Sequence, residues 1–146
     1  MRLTVFLTDV YHSDDSYHPA SATFCLYQLL KEREESINIS HVEMPTWAEH
    51  NAFVSSRPYA VWCMIDIGES GSFVGSVYLT KQDEIGVFIF RNCRGQGYGK
   101  QAVRLLMEQH PRKRYLANIN PDNGPSIAMF KAMGFGHIQN TFELRP

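Results

Sequence analysis

The strongest chemical signal in the chain is Arg94-Gly95-Gln96-Gly97-Tyr98-Gly99, with glycine at every second position between an apolar run and an amphipathic one. A strand that enters a glycine-rich turn and leaves as a helix aims free backbone N–H groups at one point, and the helix dipole adds partial positive charge there. Glycine also admits the left-handed conformations and the close backbone approach that a large anion requires. Arg94, Lys100 and Arg104 add full charges nearby. In physical terms this is a pyrophosphate cradle. A plain structural turn is the other reading of the glycines taken alone. Two nucleotide readings fail. A P-loop ends in Gly-Lys-Ser/Thr, whereas Gly99-Lys100 is followed by Gln101. A dinucleotide fingerprint follows the first strand of a parallel unit, whereas this loop comes late, after strands joined by turns too short for parallel pairing.

The elements around the loop follow from periodicity. Residues 3–9 read as an opening strand, 11–19 as a loop, and Ser21 to about Glu34 as a helix with Ala22, Cys25, Leu26, Leu29 and Leu30 at helical spacing. Thr46 and Glu49 form a capping box that starts a short helix running to about Ser55. Strands are expected at Tyr59–Ile67, Phe73–Thr80 and Glu84–Phe90. The helix after the glycine loop ends at Pro111. A short strand at Tyr115–Ile119, a helix at Ser126–Met133 closed by Gly134, and a last strand at His137–Leu144 complete the chain. The expectation is one α+β domain over residues 1–146, a mixed central β-sheet flanked by helices in the order β-α-α-β-β-β-α-β-α-β.

Composition excludes several classes. No run of 18 apolar residues occurs, so no membrane span is expected. The N-terminus lacks the pattern of a signal peptide. Cys25, Cys63 and Cys93 cannot pair completely and fit no zinc spacing, so a reducing, cytoplasmic location and no metal are expected. The net charge of −1 argues against a nucleic-acid binder. The charge is uneven, however. Residues 1–73 carry 4 Lys/Arg against 10 Asp/Glu, and residues 74–146 carry 10 against 5. That asymmetry either marks an anionic ligand in the second half or is solvated surface.

About two dozen residues after the loop stands a second motif, Asn123…Ser126…Phe130…Gly134-Phe135. With this pair of motifs the chain resembles the GNAT superfamily of acyl-CoA-dependent N-acyltransferases. The loop is similar to that family's Q/R-x-x-G-x-G/A pyrophosphate motif, and order and element types match from about Trp62 to Leu144. The first 55 residues match only as a strand and two helices. The resemblance implies the GNAT fold and acetyl-CoA as co-substrate. It implies that backbone groups of Phe88, Ile89 and Phe90 pair with the pantetheine arm like an added strand, where Glu84–Phe90 splays from Tyr115–Ile119. The N–H groups of the Gly95-Gln96-Gly97-Tyr98-Gly99 turn would hold the pyrophosphate, assisted by Arg94 and Lys100. Asn118 or Asn123 would bond a pantetheine amide, Phe130 would pack beside the sulfur, and Lys131 would approach the 3′-phosphate. Asn123 and Ser126 read equally as helix caps, and Phe130 equally as core.

Acyl transfer to an alkyl ammonium, with a pKa near 10, requires a base at neutral pH. Glu84 is the candidate, acting directly or through a water, because it opens the otherwise apolar strand that leads to the loop. His41 and His50 are alternatives. The family commonly has Tyr where this chain has Phe130, so the usual proton donor to the thiolate is missing; Tyr78, Tyr98 and Cys93 are replacements. Cys93 also admits a ping-pong nucleophile. A backbone N–H of Ile89 or Phe90 would polarise the thioester carbonyl. The stretches 11–18 and 41–50, rich in His, acids and aromatics, suit a polar amine, and Asp14, Asp15, Glu43 and Glu49 either hold a cation or solvate the surface. Glu84-Ile-Gly with Trp47 and Trp62 upstream resembles members that acetylate amino sugars. The expected activity is acetyl transfer from acetyl-CoA to a primary amine by direct attack in a ternary complex, with a small amine or amino sugar as acceptor, by a monomer or homodimer. The alternatives are a non-catalytic acyl-CoA-binding module and an enzyme acting on a protein N-terminus or lysine.

Overall fold

The computed structural model describes residues 4–12, 21–33, 43–68 and 72–146. Four strands, β1 (Phe6–Asp9), β2 (Val61–Asp66), β3 (Phe73–Leu79) and β4 (Ile85–Ile89), form an antiparallel sheet in the order β1-β2-β3-β4. Helices α1 (Ala22–Glu32) and α2 (Trp47–Ser55) precede β2, while α3 (Tyr98–Gln109) and α4 (Gly124–Ala132) follow β4.

The middle strands read as unbroken apolar runs because both faces of the sheet are covered. Side chains alternate between the faces. Trp62 and Met64 of β2 pack with Ala22, Cys25, Leu26 and Leu29 of α1 and Val54 of α2. Cys63 and Ile65 pack with Val77, Leu79 and Ile85 and with Ala102, Val103 and Leu106 of α3. Local chemistry sets the helix starts. Ser21 accepts from the Phe24 N–H ahead of α1, and Thr46 and Glu49 make the expected reciprocal capping box on α2.

Two expected strands do not form as such. Tyr115–Ile119 is reduced to one parallel bridge, Leu116 to Glu84, made by Ile85 N to Leu116 O (2.7 Å) and Leu116 N to Asp83 O (2.9 Å). The last segment, His137–Leu144, has no strand partner among the described residues, and Ile138, Phe142 and Leu144 are 72%, 90% and 88% exposed. A strand exists only where a neighbour offers a ladder of hydrogen bonds, and the 115–119 segment is joined to the sheet at one residue. The mixed character of the sheet therefore rests on the single bridge. The reading of α4 shifts as well. It begins at Gly124, two residues early, with Pro125 in the first turn, where proline's missing N–H costs nothing.

Candidate active site

β4 runs through a 3-10 turn (Arg91–Cys93) into the glycine loop. Gly95 and Gly97 take left-handed φ values of 80° and 83°, and Gly97 is the N-cap of α3. A Cβ built on Gly95 meets nothing within 4 Å, and one on Gly97 meets only Gln101 Nε2 at 4.0 Å. The space over the loop is therefore open. The first intrahelical bond of α3 is Gln101 N to Gly97 O at 3.1 Å, so the N–H groups of Tyr98, Gly99 and Lys100 lie ahead of it with no helical carbonyl to serve. The buried Tyr98 anchors the loop, its hydroxyl 3.2 Å from Gln96 Oε1. Arg94 Nε donates to Ile89 O at 3.1 Å and ties the loop back to the strand.

The β3–β4 register decides which backbone groups β4 can offer. Phe88 lies opposite Ser76, and Phe90 N donates to Val74 O at 2.9 Å, while Ile85 N faces the other way, toward Leu116. Backbone groups alternate between the two edges of a strand. The groups of Phe88 and Phe90 are thus turned to β3, and those of Val87 and Ile89 face the opposite edge. Past Leu116 no backbone group among the described residues pairs with that edge, and Arg94 Nε takes the Ile89 carbonyl. The backbone groups of Phe88 and Phe90, expected to pair with an added strand, are thus spent on β3, and the outward groups are those of Ile89 and of Val87, which sequence reasoning missed. An unpaired edge leading into free N–H groups fits an extended ligand that ends in an anion.

Glu84 sits where β4 begins. Its carboxylate accepts from Thr80 Oγ1 (3.2 Å) and from the Asn118 amide. Alternation puts Glu84, Gly86 and Phe88 on the α1/α2 face of the sheet. The Tyr78 ring lies over Gly86, so close that a Cβ there would stand 2.1 Å from Tyr78 Cζ. Tyr78 thus separates Glu84 from a cavity of about 220 Å³ on that face.

The cavity lies between the sheet (Ser76, Tyr78, Phe88), α1 (Leu26, Leu29, Leu30), α2 and Arg33. Tyr59 and Tyr78 stack at 4.0 Å with planes 4° apart, and Trp62 meets Tyr59 edge-on at 4.8 Å. The Tyr11 hydroxyl donates to Tyr59 O (2.8 Å) and accepts from Tyr59 N (3.1 Å), which fixes that corner. Burial raises the pKa of both Tyr59 and Tyr78, so both are neutral phenols at pH 7. His50 is 3% exposed, and burial lowers its pKa, so its neutral form prevails. Its Nε2 lies 3.0 Å from Thr23 O; a carbonyl only accepts, so Nε2 carries the proton and Nδ1 keeps its lone pair.

A family model described as the acetyltransferase (GNAT) family matches residues 10–135. The chain belongs to the GNAT acetyltransferase family. Among solved structures, a domain from Methanocaldococcus jannaschii superposes with a TM-score of 0.78 at 22% identity, over 96% of this chain and 93% of that one. A Salmonella typhimurium acetyl transferase that modifies the N-terminal serine of ribosomal protein L7/L12 gives 0.62 at 19%, over 88% and 78%. A putative acetyltransferase from the same organism, solved with acetyl-CoA, gives 0.63 at 16%, over 92% and 80%. At these identities the likeness is one of fold. No curated protein matches the sequence.

Within this GNAT domain the residues singled out by sequence divide clearly. The loop residues and Ile89 come together along one open edge. Asn118 is engaged by Glu84. Asn123 caps α4, its Oδ1 accepting from Ser126 N at 3.3 Å. Phe130 is core, 4% exposed and edge-on to Phe135 at 5.0 Å. Lys100 is half-buried in the first turn of α3, and Lys131 is exposed on α4. Burial and Glu32 raise the Cys93 thiol pKa, which opposes a thiolate nucleophile. Glu49 is occupied by its capping box. His41, Asp14 and Asp15 lie outside the described residues. Sequence reasoning missed Arg33, Tyr59 and the cavity as a unit, because its lining comes from separate segments with no shared spacing.

Proposed function

We propose that this GNAT acetyltransferase moves an acetyl group from acetyl-CoA to a primary amine by direct attack within one complex. The observation that carries this reading is the continuity of the glycine loop with the open edge of β4, whose α1/α2 face at Phe88 lines an aromatic-walled cavity. In this reading the N–H groups of Gln96 to Gly99, with Arg94 and Lys100, hold the pyrophosphate. The edge groups of Val87 and Ile89 align the pantetheine arm, Asn118, Asn123 and Ser126 flank it, Phe130 backs it from the core, and Lys131 meets the 3′-phosphate. When bound, acetyl-CoA supplies an acyl group activated as a thioester, which exchanges its C–S bond for C–N. The Ile89 N–H donates to the acyl oxygen.

Glu84 is the proposed base, receiving the amine proton through the Tyr78 hydroxyl or a water, since Tyr78 stands between it and the cavity. One observation favours a second reading: His50 itself lines the cavity with Nδ1 free to take a proton. The small volume of the cavity, about 220 Å³, and its wall of leucines and aromatic rings support a small amine over a protein lysine. That no disulfide joins Cys25, Cys63 and Cys93 supports a reducing, cytoplasmic setting. The test is thiol release from acetyl-CoA across a panel of small amines and N-terminal peptides. Turnover with a small amine supports the reading; acetyl-CoA binding without transfer to any amine indicates an acyl-CoA-binding module instead.

A further inference from the structure

The cavity holds one feature that an amine alone does not explain. The Arg33 guanidinium carbon lies over the Phe88 ring, 3.7 Å from its centroid, at the wall of the cavity. No acid pairs with it among the described residues. Its Nε–H is buried without an acceptor. The side chains nearest in charge are the phenols of Tyr59 and Tyr78, and these are neutral at pH 7. The one carboxylate lining the cavity among the described residues, Glu49, is exposed and bonded to the start of its own helix. Burial lowers the pKa of Arg33, but a guanidinium stays charged. A half-buried cation without a counter-charge costs stability until an anion pairs with it. Leucines and aromatic rings make up most of the rest of the lining, with Pro45, Ser76 and the neutral His50.

We propose that the acceptor is a free amino acid with an apolar side chain, its carboxylate held by Arg33 and its side chain in the ring-lined cavity. The planar fork of a guanidinium matches a carboxylate in two parallel hydrogen bonds, and the cation–π contact with Phe88 holds the guanidinium at the cavity wall. Phe88 belongs to the strand whose free edge carries Val87 and Ile89, so a group anchored above Phe88 lies beside the acyl site. An α-amino acid places its amine two bonds from the anchored carboxylate. A peptide N-terminus has an amide there and leaves Arg33 unpaired. This inference rests on the acetyltransferase reading for its turnover, but the pocket can be tested separately.

The experiment combines calorimetric titration of the protein with L-phenylalanine and L-leucine, without acetyl-CoA, and thiol-release assays on L-phenylalanine, its amide, phenethylamine, a Phe-Ala dipeptide and phosphoethanolamine. Free amino acids are expected to bind and to be preferred over the amide and the dipeptide by about 10- to 100-fold in kcat/KM, the size of one charge-assisted hydrogen bond. Arg33→Gln is expected to erase that preference by raising KM for L-phenylalanine, with KM for phenethylamine and acetyl-CoA affinity unchanged; Arg33→Lys, which keeps the charge and loses the fork, should restore part of it. Amino-acid binding that depends on Arg33, without turnover, supports the pocket and overturns the acetyltransferase reading. Equal use of amino acid and amide, preference for the dipeptide or for phosphoethanolamine, or an Arg33→Gln protein that folds and behaves like the parent overturns the proposal.

Discussion

Glu84 and His50 sit on the same side of the sheet but in opposite circumstances. Glu84 has its oxygens committed to Thr80 and Asn118 behind the Tyr78 ring, and His50 lines the cavity as a neutral imidazole. Glu84→Gln removes proton uptake and keeps one of the two accepted hydrogen bonds, because its amide nitrogen can only donate. It should lower turnover by about 10²- to 10⁴-fold, the size of a lost general base, with acetyl-CoA affinity unchanged. An unaltered pH–rate profile in this variant would move the base to His50. His50 also makes a stability prediction. Its folded pKa lies below the unfolded value of about 6.5. The unfolded chain therefore binds the extra proton, so stability is full above pH 6.5 and falls as pH drops through that value. His50→Gln should flatten this slope in urea titrations between pH 7 and 5; an equal slope in both proteins would place the titration elsewhere. Arg33 and Glu49 share the cavity with His50, so the comparison is best made with both intact.

At the scale of elements, the tightest constraint is the passage of Tyr78 over Gly86. An added methyl would fall 2.1 Å from the ring, and the ring cannot yield freely because it stacks on Tyr59. Gly86→Ala should cost about 1–3 kcal/mol as overpacking. In thermal unfolding that is roughly 3–10 °C. The acceptor KM should rise, and acetyl-CoA binding should persist. An unchanged acceptor KM would show that the stacked pair does not shape the acceptor site. The elements legible in the sequence are those whose determinants are local. The α2 start was readable because Thr46 and Glu49 are three residues apart and satisfy each other, and the turn into α3 because its glycines sit where φ is positive. The strands at 115–119 and 137–144 were not, since a strand's existence depends on a neighbour that composition does not specify. The edge groups of Val87 and Ile89 follow from register, and the cavity follows from Arg33, Tyr59, Tyr78 and Phe88 meeting from distant segments.

Taken whole, the molecule sets two sites on either side of β4. Its outer edge continues into the glycine loop, in the half of the chain with 10 Lys/Arg against 5 Asp/Glu, and its α1/α2 face opens on the cavity. An anion held by exposed N–H groups and surface cations should bind more weakly as salt is raised. The most direct test is calorimetric titration of the parent protein and Gly97→Val with acetyl-CoA, using ATP and NADH as controls. Gly97 has φ of 83° and opens on the space over the loop, so valine both strains the backbone and fills the cradle. The expected result is a Kd of roughly micromolar order for acetyl-CoA alone, lost in the variant while the fold persists by circular dichroism. Absence of acetyl-CoA binding to the parent protein, or equal affinity in the folded variant, would contradict the assignment of the loop and of the reaction built on it.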